Sequence, residues 1–505
     1  MSFYITTPIY YINDLPHIGH AYTTIIADVL ARYHKLFGED TYFLTGTDEH
    51  GQKVQTAAKA RNKDTQEHVD ELAEQWQATW PTLQIQPDFF MRTTFDFHKT
   101  YVQSCLDQLY KADEIYSKEY SGWYCVSEEV FYKESDLVNG KTPTGKDVQL
   151  VAEKNYFFRM SKYQDRLIDY IKNNPLFIRP EVRRNEILGF LAQPLEDLCI
   201  SRPKSRLAWG IELPFDRDYV TYVWFDALLN YISALVRDQS SKDQKLFERF
   251  WPECIHLLGK DIITTHAVYW TTMLMALNIP LPKGIFAHGW WLAGDGEKMS
   301  KSIGNVTSPL QMKEEIGPDA LRYYLVRDAV LGSDARFARD LVATRINSDL
   351  SNNFGNLLSR TVKLAEKFCN SAVPAKTNAI PETDLHAKLG ASLPTTVKDA
   401  INNFCPQEAL VAIFDFLSAT NRYLDQLAPW KNKDNLALCS ETIGTCLESL
   451  HLAAQLLIPV MPEKMTIALD LLGSTPANNW SECSWGTLKA GAILKPVTPL
   501  FPKVE

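Results

Sequence analysis

The chain's 505 residues exceed what one hydrophobic core usually serves, so two to four domains are expected. Apolar residues make up 45% and charged residues 22%, which excludes a largely disordered chain, and the net charge of −9 argues against a nucleic-acid coat protein while leaving room for a local basic face. No apolar run approaches the ~18 residues that span a bilayer, and nine scattered cysteines without a C-x-x-C pair fit a reducing compartment rather than a disulfide framework or a four-cysteine metal site.

Met1-Ser2-Phe3-Tyr4 lacks the basic start of a secretory signal, so no leader is expected and the expected location is cytoplasmic. A short buried strand is predicted over residues 3–6, followed by an irregular turn carrying Pro8, Asn13, Asp14 and Pro16. From Gly19 the apolar spacing of Ile25, Ile26, Val29, Leu30, Tyr33 and Phe37 predicts a helix that Gly38 stops. Strand, loop and helix open a doubly wound α/β unit, whose ligands sit outside the carboxyl ends of the strands. His17 and His20 of His17-Ile18-Gly19-His20 then fall at a helix N-terminus, where backbone N–H groups favour phosphate, and Gly19 leaves room for a flat base. A second strand over 41–45 runs into Gly46-Thr47-Asp48-Glu49-His50-Gly51. Asp48 is placed there either to meet a cationic ligand group or to cap the helix starting near Gln52. Helices follow over 64–80 and 95–112.

Between residues 115 and 219 the texture changes. Aromatic-rich segments around Trp123, Tyr124, Tyr156 and Phe157 bracket a turn-rich stretch at 139–146, and helices are predicted over 161–173 and 180–198. This reads as a domain inserted into the α/β fold. The main fold resumes with Val223, Trp224, Ala227 and Tyr231. A strand from His256 then ends in Gly259-Lys260-Asp261, ahead of a helix with His266 and Trp270 one turn apart. Trp224, Tyr231, His266 and Trp270 would wall a slot suited to a polarisable thioether. Glu297-Lys298-Met299-Ser300-Lys301-Ser302, with Gly294, Gly296 and Gly304 nearby, reads as a mobile loop delivering lysines to charge that builds on a departing polyphosphate.

Ser308-Pro309 and Gly317-Pro318 each open a helix, and helical periodicity then dominates over 341–368, 382–402, 408–425 and 435–457. Residues 336–367 carry six basic against three acidic side chains, a candidate phosphate-tracking face. Asn356 and Arg360, one helical turn apart, and Trp430 supply the forks and indole that read unpaired bases.

His17-Ile18-Gly19-His20 and Lys298-Met299-Ser300-Lys301-Ser302 together resemble the paired signatures of class I aminoacyl-tRNA synthetases. The residues around them are similar to the methionyl-specific branch of that family over nearly the whole chain. The resemblance implies a Rossmann-type catalytic domain in two halves (1–114 and 220–289) split by a connective insertion (115–219). A lysine-loop stem-contact region (290–340) and an all-α anticodon-binding bundle with a C-terminal tail (341–505) would follow. It implies ATP-dependent activation of L-methionine to methionyl-adenylate and transfer to the 3′ end of tRNA(Met), for initiation and elongation of protein synthesis. His17, His20, Lys298 and Lys301 would be catalytic, with Gly19, Gly259, Asp261 and Ser300 completing the ATP site. Ile9, Tyr11, Val223, Trp224, Ala227, Tyr231, Ile262, His266 and Trp270 would contact methionine, and Asp48 its amino group. Asn356, Arg360 and Trp430 would meet the anticodon.

ATP would bring Mg²⁺ with its phosphates. No appended β-barrel is seen, so a monomer is expected. A cysteinyl relative would need a metal-bound thiolate cluster that is missing here, and a non-catalytic tRNA-binding paralogue would not need both motifs. One departure stands out. Many relatives tie the connective insertion with zinc knuckles, yet Cys125 is the only Cys or His between 106 and 198, so with Glu128 and Glu129 as its neighbours it makes a poor zinc site and no structural zinc is expected.

Overall fold

The computed structural model describes the chain apart from residues 14, 126–129, 133, 239, 300–306, 376–379 and 505, and apart from the side chains of 120, 121, 130, 131, 151 and 152. Its centre is a parallel six-stranded sheet in the order Phe89–Arg92, Asp40–Asp48, Ser2–Tyr11, Cys254–Gly259, Gly284–His288, Ile178–Arg179. The chain winds outward in both directions from Ser2–Tyr11, so a crevice opens at the carboxyl ends of that strand and Cys254–Gly259.

The first strand outruns the predicted residues 3–6. It continues through Pro8 to Tyr11, with a register shift between Thr6 and Ile9, after which Ile9, Tyr10 and Tyr11 pair with Gly46, Thr47 and Asp48. The bulge interrupts the ladder where proline has no N–H to offer, which is why Pro8 does not end the strand. Ile9 and Tyr11 are therefore held by the sheet and not by a turn. The helix Ile18–Leu36 buries most of its length, and Gly38, at φ +83°, follows its end.

In the insertion, Ile115–Cys125 and Gln149–Phe158 pair antiparallel along their length, flanked by Val130–Tyr132 and Leu198–Cys199. The helix expected over 180–198 is shorter, Glu181–Phe190. Pro194 disfavours helical backbone at Gln193, and the chain turns back to pair Leu198 with Phe158. Ile178–Arg179 joins the edge of the central sheet, parallel to Gly284–His288.

Ser308 caps Pro309–Ile316 by accepting from the Gln311 N–H, and Pro318–Arg327 follows. Arg339–Arg345, a wide π-helical stretch Ile346–Gly355 and Asn356–Phe368 run on as one helical column. Pro381–Asn402, Pro406–Leu427, Leu436–Leu457 and Pro462–Leu471 complete an all-α bundle. Its core is continuous with one face of the sheet, because Phe404 stacks on Phe286 at 5.4 Å and approaches Phe3 at 6.5 Å. The basic stretch 336–367 is laced to acids: Arg339 to Glu315, Arg345 to Asp328 and Asp349, Arg360 to Asp425. Acids from other helices thus offset much of the charge excess that one segment shows by itself. No helix among the described residues is long and apolar enough to cross a membrane.

Candidate active site

His17 and His20 act on one another before any ligand arrives. His17 caps Ile18–Leu36: its Nδ1 accepts from the Gly19 N–H at 3.1 Å, and its own N–H donates to His20 Nδ1 at 3.3 Å. The rings stack with centroids 3.6 Å apart. Since each Nδ1 accepts, the proton of each neutral ring resides on Nε2, making that edge a hydrogen-bond donor. A Cβ on Gly19 would lie 3.0 Å from the His17 ring, so the glycine serves its neighbour's imidazole, where the sequence suggested room for a base.

The crevice gathers Gly259, Asp261, His288, Trp290 and Lys298 with His17, Gly19 and His20 around a cavity of about 410 Å³, which Ile9, Tyr11 and Ile262 also line. A Cβ on Gly259 would meet Asp261 Oδ1 at 2.5 Å, so glycine there lets the carboxylate fold back over the strand end. His288 donates from Nδ1 to the Gly289 carbonyl at 2.7 Å, so its Nε2 accepts from the Thr23 hydroxyl at 2.7 Å, and burial lowers its pKa. Lys298 is placed by a bridge to Leu292. Ser300 and Lys301 lie outside the described residues.

The aromatic set divides in two. Ile9, Tyr11 and Trp224 pack with Val223 and Ala227, while Tyr231, His256, His266 and Trp270 form a buried group behind them. Trp270, expected to face the slot beside His266, has no exposed surface and donates its indole N–H to His256 Nε2 at 3.1 Å. His256 must then donate from Nδ1 to Thr6 Oγ1, 2.8 Å away. His266 Nδ1 lies 3.0 Å from the Ile262 carbonyl, which can only accept. Its Nε2 therefore accepts from the Tyr231 hydroxyl at 2.7 Å. Burial pushes the His266 pKa down to about 4, so this chain of hydrogen bonds is neutral and locked at pH 7. The backbone from Thr265 to Trp270 is π-helical, a widened turn frequent at functional sites.

Asp48 ends its strand 3% exposed, and the following helix is preceded by Gly51 without a side-chain cap, so Asp48 is not that helix's N-cap. The loop after it is clamped by groups that motif reading missed. Glu49 is buried in a bidentate pair with Arg92 at 2.7 and 2.9 Å. Trp209 of the insertion donates to the Glu49 carbonyl and accepts from the Gly51 N–H. Asp226, one turn into the helix that carries Trp224 and Ala227, takes His50 Nδ1 at 2.6 Å and His98 Nε2 at 2.8 Å. Burial alone would raise the Asp226 pKa, but the two histidines hold it down at about 2. Only His50, two residues past Asp48, was within reach of a local motif.

In the bundle, Asn356 is exposed and Arg360 lies over the half-buried Trp430, its guanidinium 5.4 Å from the ring, while pairing with Asp425 at 2.6 Å. Cys125 is buried, and among the described residues no group of three or more His, Cys, Asp or Glu could hold a metal ion; Glu128 and Glu129 lie outside the description. The described side chains of the insertion do not assemble a zinc knuckle. Buried Tyr124, Tyr156 and Phe157 pack there instead, with Arg206 3.8 Å above the Tyr124 ring.

Similarity to known proteins agrees with this geometry. The family model described as "tRNA synthetases class I (M)" matches residues 3–150 and 136–362. The methionine–tRNA ligase of Caldanaerobacter subterraneus subsp. tengcongensis is 42% identical over 509 residues, covering 100% of this chain and 79% of the relative. That of Listeria monocytogenes is 41% identical over 524 residues, covering 100% and 78%. The methionyl-tRNA synthetase of Mycobacterium tuberculosis in complex with methionyl-adenylate superposes with a TM-score of 0.94 at 38% identity, over 99% of this chain and 100% of that one. Its apo form gives 0.85 at 36% identity, over 100% and 98%. The chain belongs to the methionyl-tRNA synthetases of class I.

Proposed function

We propose that this chain activates L-methionine with ATP to methionyl-adenylate and pyrophosphate, then transfers the methionyl group to the 3′ end of tRNA(Met), with both steps at the crevice described above. The observation that carries the assignment of roles is that one cavity is lined both by His17, Gly19, His20, Asp261 and Lys298 and by Ile9, Tyr11 and Ile262. No enzyme nucleophile is required, because the methionine carboxylate attacks the α-phosphate. The chain's task is alignment and charge stabilisation.

In this reading the Nε2–H edges of His17 and His20 donate to the α-phosphate, while Lys298 and Lys301 neutralise charge on the departing pyrophosphate. Ser300, Gly259 and Asp261 complete the nucleotide site. Asp48 receives the ammonium of methionine, and the methionine side chain enters the slot among Ile9, Tyr11, Val223, Trp224, Ala227 and Ile262, with Tyr231, His266 and Trp270 as the buried layer that backs it. Mg²⁺ accompanies ATP on its phosphates, which a divalent cation retaining its waters favours over an all-protein cage. Asn356, Arg360 and Trp430 bind the anticodon from the bundle. The domain limits are those read from the sequence: 1–114 and 220–289 catalytic, 115–219 inserted, 290–340 stem contact, 341–505 anticodon binding. We take the working form to be a monomer, acting in the cytoplasm without structural zinc.

Methionine-dependent ATP–pyrophosphate exchange tests the assignment. His17→Ala, His20→Ala and Lys301→Ala should each slow exchange by about 10²–10³-fold, the loss of ~3–4 kcal/mol of transition-state contact. Arg360→Ala and Trp430→Ala should leave exchange near the parental rate and lower aminoacylation, a lost base stack weighing ~1–3 kcal/mol. Exchange that survived the first three substitutions would refute the catalytic roles.

A further inference from the structure

Trp290 stands just beyond the carboxyl end of Gly284–His288 and is fixed by three groups. Its backbone N–H donates to Asp334 Oδ1 at 2.8 Å, and its indole N–H donates to Asp261 Oδ1 at 3.2 Å. The Lys260 ammonium, paired with Asp334 Oδ2 at 2.7 Å, lies 4.2 Å from the ring centroid. Against the ring so anchored, the Lys298 ammonium lies 3.8 Å from the centroid. The backbone of Lys298 is set as well, by its bridge to Leu292 and by the Ala293 N–H donating to the Glu297 carbonyl at 2.8 Å.

Indole is the best of the aromatic faces for holding a cation. A lysine has four rotatable bonds and a strongly hydrated head, so without a resting place it must be both ordered and stripped of water as the phosphates arrive. A cation already collected at the cavity mouth avoids that reorganisation when charge develops. The same indole reaches the carboxylate of Asp261 through a different atom, so one side chain sets two groups of the nucleotide site.

We propose that Trp290 is a positioning residue for adenylate formation, with its face holding the Lys298 ammonium and its N–H holding the Asp261 carboxylate. Lys260 and Asp334 keep the indole in place. The inference rests on the reading of Lys298 and Asp261 given above and adds to it the group that pre-sets them. Because face and N–H act on different partners, substitution separates them: Trp290→Phe keeps a ring and loses the N–H, while Trp290→Leu loses both.

The test is pyrophosphate exchange on the full chain with ATP varied at saturating methionine, alongside thermal melts of each variant. Trp290→Leu should lower exchange kcat about tenfold, the ratio that ~1.4 kcal/mol corresponds to. Trp290→Phe should recover most of that kcat but keep KM for ATP raised by about fivefold, as expected where a ground-state contact is lost. KM for methionine should move in neither. Lys298→Met should lower kcat in the parental chain and add little in the Trp290→Leu background, since coupled residues are not additive. Full additivity of the two substitutions, or a Trp290→Leu chain with unchanged kcat beside an impaired Lys298→Met chain, would overturn the role of Trp290 and leave that of Lys298 intact. A Lys298→Met chain exchanging at the parental rate would instead refute the reading of Lys298 itself. A Phe variant as impaired in kcat as the Leu variant, with a parental melt, would overturn the cation-holding role.

Discussion

Arg322→Leu removes a buried arginine that ties the helix Ile18–Leu36 to the bundle. Arg322 has no exposed surface. Its Nε donates to the Val460 carbonyl at 2.8 Å, and its Nη2 to Asp28 Oδ2 at 2.7 Å and the Pro459 carbonyl at 3.0 Å. Its Nη1 reaches the carbonyls of Leu83 and Gln84, both at 3.3 Å. Breaking a buried pair by removing one partner costs ~3–5 kcal/mol. Asp28 keeps Arg32 at 2.7 Å and the Gln86 N–H at 3.0 Å, which places this case at the lower end of that range. The Val460 and Pro459 carbonyls lose their donor, adding ~1–3 kcal/mol, and the buried leucine returns a comparable ~1.5–3 kcal/mol. The net expectation is a loss of ~3 kcal/mol, read as a lowered urea midpoint of the full chain. Because Pro459 and Val460 follow Leu436–Leu457 of the bundle, aminoacylation should fall further than pyrophosphate exchange. An unchanged urea midpoint, or equal loss of both half-reactions in a chain that remains folded, would refute the reasoning.

Tyr231→Phe leaves His266 Nε2 buried without its donor, so KM for methionine should rise about tenfold, the lower half of a ~1–3 kcal/mol penalty, while KM for ATP stays put in the exchange assay. Asp319, whose Oδ2 accepts the Lys464 N–H, has its pKa pushed up to about 6 by burial. The fold therefore prefers its protonated form, and a cost develops as pH rises from the unfolded value of ~3.9 through about 6, remaining complete above it. Urea unfolding should accordingly show Asp319→Asn gaining up to ~2 kcal/mol over the parental chain at pH 8 and nothing at pH 4; the same difference at both pH values would refute this. Prolonged chelation followed by return of Mg²⁺ should leave folding and activity intact. Elemental analysis finding one zinc per chain, lost together with activity, would show the opposite.

What the sequence determined by itself was whatever depends on short spacing. The helix from Ile18 follows from apolar residues three and four apart, and His17, Gly19 and His20 are a cap written within four residues. Ser308-Pro309 and Gly317-Pro318 mark two helix starts for the same local reason. The acid at the end of Asp40–Asp48 and the Gly259-Lys260-Asp261 turn lie where a parallel sheet exposes strand ends. Tertiary structure decided the rest, because the decisive partners are far apart along the chain. Pro8 stays in a strand only because a bulge against Asp40–Asp48 relieves the ladder. Arg360, one of six basic residues in its stretch, meets an acid 65 residues away. Trp290 is joined to Asp334 across 44 residues, and Arg322 to Asp28 across 294. A buried donor or charge is acceptable only when its partner is present, and which residue becomes that partner is settled by how the sheet, insertion and bundle close around it. The tautomer of His256 has the same origin: its proton is assigned by the Trp270 indole, which the fold brings to its other nitrogen.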